Sequence, residues 1–348
     1  MQGYQITKLQ HGNQREMAQM EQLLLSQGLS RDANLDCSIG IFDGDYTLMA
    51  TASAYKNTLR CVAVASEYLG MGLMEPMISY LTEHVLSQGY ANVYVYTKCE
   101  SAVFFERIGF HRNAEVEGKM VFLEYNHGGF NRYLDGLISE SPSLCRSAAV
   151  VMNANPFTLG HRYLVETAAA GAELLHVFIL SDDSSAIPYA IRRRLVEQGC
   201  AHLSNVVFHS SGDYMISSAT FPSYFLSDQN AVIETQAKLD AVIFTKIAHR
   251  LNITDRYVGT EPYSRVTSLY NRALASVLPQ HSIRVHELER MEKDGAAVSA
   301  SAVRQALIQN DTAALRRMVP QSTYRYFLSE ESRPVVDKLK TLDSVIHY

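Results

Sequence analysis

Apolar and polar positions along this chain follow two different rhythms, and the change between them divides it. In the first third, strand-like runs mix with amphipathic stretches of helical spacing. Asn13 to Gln27 places Met17, Met20, Leu23 and Leu24 on one face and predicts a helix. Tyr46 to Ala54 and Leu59 to Ala65 predict strands, with a turn at Lys56-Asn57 between them. Glu67-Tyr-Leu-Gly-Met-Gly72 then opens a long amphipathic helix through Leu73, Met77, Tyr80, Leu81, His84 and Val85, which Gly89 closes. Asn92 to Thr97 predicts the next strand, Ala102 to Ile108 a short helix ending at Gly109-Phe110, and Met120 to Tyr125 a last strand.

The rhythm breaks at Asn126-His-Gly-Gly129, followed by a short helix over Phe130 to Ile138 and by Ser139-Glu-Ser-Pro-Ser143. Paired glycines and a Ser/Pro cluster mark a linker, placed at residues 127–145 between a domain of residues 1–126 and one of 146–348. Beyond it, short apolar strands alternate with helical patterns: Ala148–Met152, Leu174–Leu180, Val206–His209, Ala241–Phe244, Arg256–Val258 and Ser282–Glu287. That alternation predicts an α/β domain with a parallel sheet and crossover helices. Ligands of such sheets sit outside the carboxyl ends of the strands. Four polar clusters fall at those ends: Asn155–His161, Ser181–Ser185, Gly259–Pro262 and Ser299–Arg304.

Two of these clusters carry candidate chemistry. In Asn155-Pro-Phe-Thr-Leu-Gly-His161 an apolar strand runs into a Thr-x-Gly-His turn, and Leu164, Val165, Ala168 and Ala169 then recur at helical spacing. Such a turn aims backbone N–H groups and a positive helix end at one spot, which suits phosphate oxygens. His161 stands in the first turn as a donor, and Gly160 permits close approach to the backbone. In Val298-Ser-Ala-Ser-Ala-Val-Arg304, Ser299 suits the N-cap, with Ser301 and Arg304 near the start of the same helix. Two hydroxyls, free N–H groups and a guanidinium make a second phosphate clamp. Thr-x-Gly-His alone is also compatible with an ordinary strand-to-helix turn; the second clamp, 138 positions after His161, is what favours phosphate. The pair resembles the nucleotidyltransferases, in which the first His of the His-x-Gly-His signature is often Thr, and implies attack on the α-phosphate of ATP.

Composition narrows the class. The chain has 348 residues, 47% of them apolar and 19% charged, as in an ordinary protein with more than one core. A net charge of −5 argues against a nucleic-acid partner. Cys37, Cys61, Cys99, Cys145 and Cys200 are odd in number, scattered and without a Cys-x-x-Cys pair, and read as reduced thiols. With no basic-then-apolar leader and no run of the ~18 apolar residues of a membrane span, the expectation is a cytoplasmic protein without a membrane partner. His84, His176, His202, His209 and His249 show no metal-ligand spacing and read as structural. Asp182-Asp183 read as turn residues rather than metal ligands. No protein metal ligand is assigned.

The element order of the first domain, with Gly70 and Gly72 before its long helix and Gly109-Phe110 after the short one, resembles the GNAT acetyltransferase fold. In that fold the glycine loop holds the pyrophosphate of a coenzyme A-like ligand. Glu67 stands where the usual loop has Arg or Gln, and Phe105 where the usual catalytic Tyr stands, so that position has no proton to give.

Taken over nearly its whole length, the chain resembles the citrate lyase ligase family. The marks are Asn155–His161; Ile187-Pro-Tyr with Arg192, Leu195 and Val196; and Ile216-Ser-Ser-Ala-Thr-Phe-Pro-Ser-Tyr-Phe225. Further marks are Arg256-Tyr-Val-Gly-Thr-Glu-Pro262 with Tyr270-Asn271, and Val298-Ser-Ala-Ser301 with Arg304. The resemblance implies an ATP-dependent acid–thiol ligase. Such an enzyme turns acetate into acetyl-AMP and acetylates the thiol of the phosphoribosyl-dephospho-coenzyme A group on the acyl carrier subunit of citrate lyase, releasing AMP and pyrophosphate. It implies ATP and Mg²⁺ as cofactors. Thr158, His161 and Arg304 become the catalytic set, while Asn155, Phe157, Gly160, Arg192, Gly259, Glu261, Pro262, Ser299 and Ser301 hold ATP. Glu67, Gly70 and Gly72 hold the carrier's arm; Arg193 and Arg194 are read as surface. The rival reading is a nucleotide adenylyltransferase of cofactor synthesis with a vestigial acetyltransferase domain.

Overall fold

The computed structural model describes residues 4–125, 128–142, 145–181, 185–215, 229–260, 265–293 and 296–341. The chain separates into two compact units: Met1–Phe130 with Phe221–Leu239, and Asn131–Thr220 with Asp240–Tyr348. Among the described residues no helix is long and apolar enough to cross a membrane.

The first unit runs β1 (Ile6–Lys8), α1 (Gln14–Ser26), β2 (Cys37–Phe42), β3 (Leu48–Tyr55), β4 (Thr58–Val64), α2 (Met74–Ser87), β5 (Tyr94–Thr97), α3 (Cys99–Arg107), β6 (His111–Val116) and β7 (Met120–Glu124). The side chain of Asn13 caps α1 by accepting from the Arg15 and Glu16 N–H groups, which fixes where that helix starts. One sheet in the order β1-β2-β3-β4-β5-β7-β6 carries the unit. Its neighbours are antiparallel except β4 and β5, which pair in parallel at Thr58–Tyr94 and Leu59–Val95 only. Beyond Leu59 these two strands part. This is the GNAT-like acetyltransferase arrangement. Its core packs Ile39, Ala52 and Leu59 of the sheet against Met77, Leu81 and Val85 of α2 and Phe105 of α3. The helix expected to open at Glu67 begins only at Met74, because Gly70 (φ +82°) and Gly72 (φ +72°) hold left-handed, non-helical backbone. Strands β1, β2 and β6 were not among the predicted elements; β6, with His111, Arg112 and Glu115, is a polar edge strand that no apolar run announces.

The chain continues with α4 (Gly129–Glu140), β8 (Ser147–Met152), α5 (Leu159–Ala170), β9 (Leu174–Ile179), α6 (Tyr189–Gly199), β10 (Val206–Ser210), α7 (Gln229–Arg250), β11 (Ile253–Gly259), α8 (Arg265–Val277) and β12 (Arg284–Leu288), all in the second unit except Gly129–Phe130 of α4 and Gln229–Leu239 of α7, which belong to the first. Four short helices follow: α9 (Ala300–Ile308), α10 (Thr312–Met318), α11 (Gln321–Leu328) and α12 (Arg333–Thr341). The sheet order is β10-β9-β8-β11-β12, and every pairing in it is parallel. From β8 the chain first winds outward through β9 and β10, then returns to place β11 and β12 on the other side. The strand order therefore reverses between β8 and β11, and the crevice at their carboxyl ends is where such a sheet receives a ligand. Val150, Met152, Val177 and Ile179 pack with Val165 and Ala168 of α5, Leu195 and Val196 of α6, and Val303 and Leu307 of α9.

The strand expected at Ala241–Phe244 is instead part of α7. A short apolar run suits a buried helix as well as a buried strand, and here the surrounding residues settle on a helix of 22 residues.

Candidate functional site

The turn after β8 is organised by Thr158. Its extended backbone (φ −116°, ψ 169°) makes it the N-cap of α5, and its hydroxyl accepts the His161 N–H at 3.2 Å. The Thr158 N–H in return donates to His161 Nδ1 at 3.1 Å, and the Thr158 hydroxyl lies 2.9 Å from the same nitrogen. Nδ1 is thus an acceptor, and the ring proton of the neutral imidazole belongs on Nε2. Burial first, and the positive charge of Arg290 second, push the His161 pKa down to about 4. Although part of the ring surface stays open at the cavity wall, the imidazole is neutral at physiological pH. Phe157 lies beneath it, with nearly parallel rings whose centroids are 6.0 Å apart.

The second segment meets the first. Ser299 (φ −127°, ψ 151°) caps α9, its hydroxyl accepting the Ala302 N–H at 2.9 Å. Arg304 donates from Nη1 to the Asn155 carbonyl at 2.6 Å and from Nη2 to the Ser301 hydroxyl at 3.0 Å. A Cβ on Gly160 would come within 3.3 Å of the Val298 carbonyl oxygen. The glycine there serves the close approach of two chain segments. Two helix starts, whose first N–H groups have no partner inside the helix, thus open side by side. Between them and the ends of β11 and β12 lies a cavity of about 570 Å³, within the usual range for small-molecule sites. Asn155, Thr158, Gly160, His161, Gly259, Ser299, Ser301 and Arg304 all line it. Gly259 is placed by Asn271, whose Nδ2 donates to its carbonyl oxygen at 3.0 Å.

Two residues expected to hold ATP are not in that wall. Phe157 is fully buried in the core and fills the space beside Gly199, where a Cβ would stand 2.5 Å from its ring. Arg192, also fully buried, donates from Nε to the Ile187 carbonyl at 2.9 Å and from Nη1 to the Leu180 and Asn153 carbonyls, each at 2.7 Å. The charge therefore braces the backbone behind the turn instead of facing phosphate. Glu261, Pro262, Asp182, Asp183 and residues 216–225 lie outside the described residues. Glu67, Gly70 and Gly72 belong to the first unit: Glu67 is exposed on a single helical turn (Ser66–Tyr68), and both glycines are exposed in the loop that follows. Phe105 is buried, edge-on to Phe110.

Sequence reasoning missed the segment after β12. Leu288, Glu289, Arg290 and Met291 line the cavity, as does Thr260. The Thr260 N–H donates to the Leu288 carbonyl at 2.8 Å, and the Thr260 hydroxyl accepts the Arg290 N–H at 3.1 Å, stitching the two strand ends together. The signal was present, since Leu288–Met291 also follows the carboxyl end of a predicted strand. Among the described residues no three His, Cys, Asp or Glu side chains stand together as metal ligands. The cavity wall is rich in N–H, hydroxyl and guanidinium donors, a set that fits an anion; a cation such as Mg²⁺ fits it only when most of its ligands come from the anion and water.

The family model "Citrate lyase ligase C-terminal domain" matches residues 147–327. The [Citrate [pro-3S]-lyase] ligase of Escherichia coli (strain K12) is 34% identical over 336 residues, covering 94% of this chain and 95% of that protein. The protein of the same name from Klebsiella pneumoniae is 34% identical over 314 residues, 89% of this chain and 92% of its own length. Among solved structures, an acyl-CoA N-acyltransferase from Pseudomonas aeruginosa is 15% identical, with a TM-score of 0.30, over 36% of this chain and 100% of its own. On its match to the family model and its likeness to whole relatives, the chain belongs to the citrate lyase ligase family and is an enzyme, a ligase.

Proposed function

We propose that this ligase activates acetate with ATP as acetyl-AMP. It then transfers the acetyl group to the thiol of the prosthetic group, phosphoribosyl-dephospho-coenzyme A, on the acyl carrier subunit of citrate lyase. The observation that carries the reading is the meeting of Thr158–His161 with Ser299–Arg304 around one cavity at the switch point of the sheet. The relatives are named as ligases of citrate lyase, which supplies the target. Acetate is a poor acyl donor until its carboxylate carries a leaving group. A carboxylate oxygen attacks the α-phosphorus, the bond to the bridging oxygen breaks, and pyrophosphate leaves. Negative charge builds on the phosphoryl oxygens, so the task of the protein is positioning and electrostatic stabilisation.

In this reading His161, protonated on Nε2, donates to the α-phosphoryl oxygens as their charge grows. Thr158 holds the ring in that tautomer, and the N–H groups at the start of α5 add donors. Ser299, Ser301 and Arg304 receive the pyrophosphate. Adenosine lies along the strand ends at Gly259. Mg²⁺, when bound with ATP, would supply further charge neutralisation. The carrier thiolate then attacks the acetyl carbonyl and AMP leaves. The loop Glu67–Gly72 of the first unit holds the diphosphate of the carrier's arm; the open space at Gly70 and Gly72, where nothing beyond the adjoining residues stands within 4 Å of a Cβ position, is compatible with close approach to the backbone.

Exchange of labelled pyrophosphate into ATP tests the activation step. Exchange that requires acetate, with the carrier subunit present, is the expected result. Exchange indifferent to acetate, with nicotinate mononucleotide or phosphopantetheine driving ATP consumption instead, would replace this reading with a nucleotide adenylyltransferase.

A further inference from the structure

Asn153 is the first residue beyond β8, at the carboxyl end of the central strand, and it lines the cavity. Its side-chain oxygen is committed: Oδ1 accepts from Arg192 Nη1 at 2.8 Å and from the Ser185 hydroxyl at 3.2 Å. A guanidinium has donors only, so the amide has one possible orientation, with Oδ1 toward Arg192. The same Nη1 donates to the Asn153 carbonyl at 2.7 Å, which fixes the main chain and the side chain of this residue together. The amide nitrogen Nδ2 therefore points away from Arg192. Among the described residues it makes no hydrogen bond, and it is not one of the buried polar atoms sealed from solvent. Asn153 as a whole is half-buried. Two N–H donors thus open on the accessible side of the residue, where it forms part of the cavity wall.

We propose that Asn153 Nδ2 donates to the carboxylate of acetate and orients it for attack on the α-phosphorus. The assignment rests on the activation reading and supplies a donor for the one reacting group that lacks one. In that reading His161, Ser299, Ser301 and Arg304 serve the phosphates, together with the starts of α5 and α9. A carboxylate has two oxygens: one accepts from Nδ2, and the other is left to form the bond to phosphorus while pyrophosphate leaves. Holding the first oxygen keeps the second in place for attack. The amide keeps both its protons throughout. A neutral donor also suits a nucleophile, because a cation at the same place would draw charge from the oxygen that must attack. Phosphate oxygens, with more charge to balance, are matched better by a guanidinium fork than by a neutral amide.

Asn153→Asp is the closest variant, since it keeps an oxygen for Arg192 and Ser185 and exchanges only the donor for a second oxygen. On the full chain with the carrier subunit present, the apparent KM for acetate in pyrophosphate exchange should rise at least about tenfold. The Kd for ATP, measured by calorimetry without acetate, should stay within about threefold, because the new charge is paired with Arg192. Asn153→Ala removes the donor without adding charge and should show the same split between acetate and ATP. A residue that only held the turn would change both together. The wild type gives a direct readout with isotope-labelled asparagine. The side-chain amide signals of Asn153, identified by their loss in Asn153→Asp, should shift when acetate is added to the complex with a non-hydrolysable ATP analogue. An unchanged KM for acetate, an equal loss of ATP binding, or amide signals indifferent to acetate would overturn the assignment. The activation reading fails separately: wild-type enzyme without acetate-dependent exchange would sink it, and the acetate-induced shift would then decide the role of Asn153 by itself.

Discussion

In the turn after β8, Asn155, Thr158 and His161 are held by bonds within the turn and to α9, whereas the loop after β4 leaves open space at its two glycines. Thr158 both caps the helix and fixes the imidazole tautomer, and Arg304 ties Asn155 from another segment. Behind them Arg192 braces three carbonyls from the core. At Leu69–Gly72 the described ties are short-range backbone bonds, Leu69 N–H to the Ser66 carbonyl at 3.4 Å and Met71 N–H to the Tyr68 carbonyl at 3.3 Å; the two glycines have left-handed backbone with empty space at their Cβ positions, and Leu69 and Met71 are exposed. A preorganised turn is what a reaction with developing charge requires, because donors already in place need no rearrangement in the transition state. An open loop suits a ligand bound by its backbone shape, such as a flexible arm that arrives and leaves.

The largest effect should come from the preorganised side. His161→Ala should lower the rate of acetyl-AMP formation by roughly 10²–10³-fold while ATP affinity changes by less than about tenfold. Single-turnover rates and equilibrium binding of ATP measure the two halves. Equal losses in both would make His161 a ground-state ligand and remove the contrast with the open loop.

A smaller and more selective effect belongs to the loop. Gly72→Val should leave acetyl-AMP formation intact and lower acetylation of the carrier thiol by at least about tenfold. Backbone at φ +72° strains any side chain, so Gly72→Ala is the necessary companion. If Ala costs as much as Val, distortion of the loop rather than obstruction of an arm is the cause. If both steps fall together in Gly72→Val, the loop has no separate task.

How legible these features were follows from their physics. The cap at Ser299 could be read because capping depends on a few adjacent residues, whereas Thr158 was read only as a phosphate-facing residue and its capping of α5 came from the fold. The parallel sheet could be read because its strands are short and apolar between helices, and Ala241–Phe244 failed for the same reason, since four apolar residues look alike in a strand and in the middle of α7. Arg192 and Phe157 belong to the segments that carry the family resemblance, and nothing local separates a residue that touches a ligand from one that holds the wall behind it. Burial decides, and burial is a property of the whole fold. Leu288–Met291 was missed although it follows a predicted strand end, because it matches no known motif; the folded sheet brings it beside Thr260.

The smallest effect concerns acidity, and it separates the turn from an ordinary surface histidine. An unperturbed His gains its proton near pH 6.5, whereas His161 in the fold does so only at about 4. Between these values the unfolded chain binds more protons than the folded one, so stability rises with pH across that window. The contribution is complete above about pH 6.5 and is lost as the pH falls toward about 4. Over pH 6.5–8 the imidazole should therefore stay neutral and its part in adenylation should not change. The rate of pyrophosphate exchange should show no inflection from His161 in that range, and its ring resonances should not titrate there. A ring that titrates near 6.5 would mean that the turn is solvated like the loop after β4, and the contrast between the two regions would lose its basis.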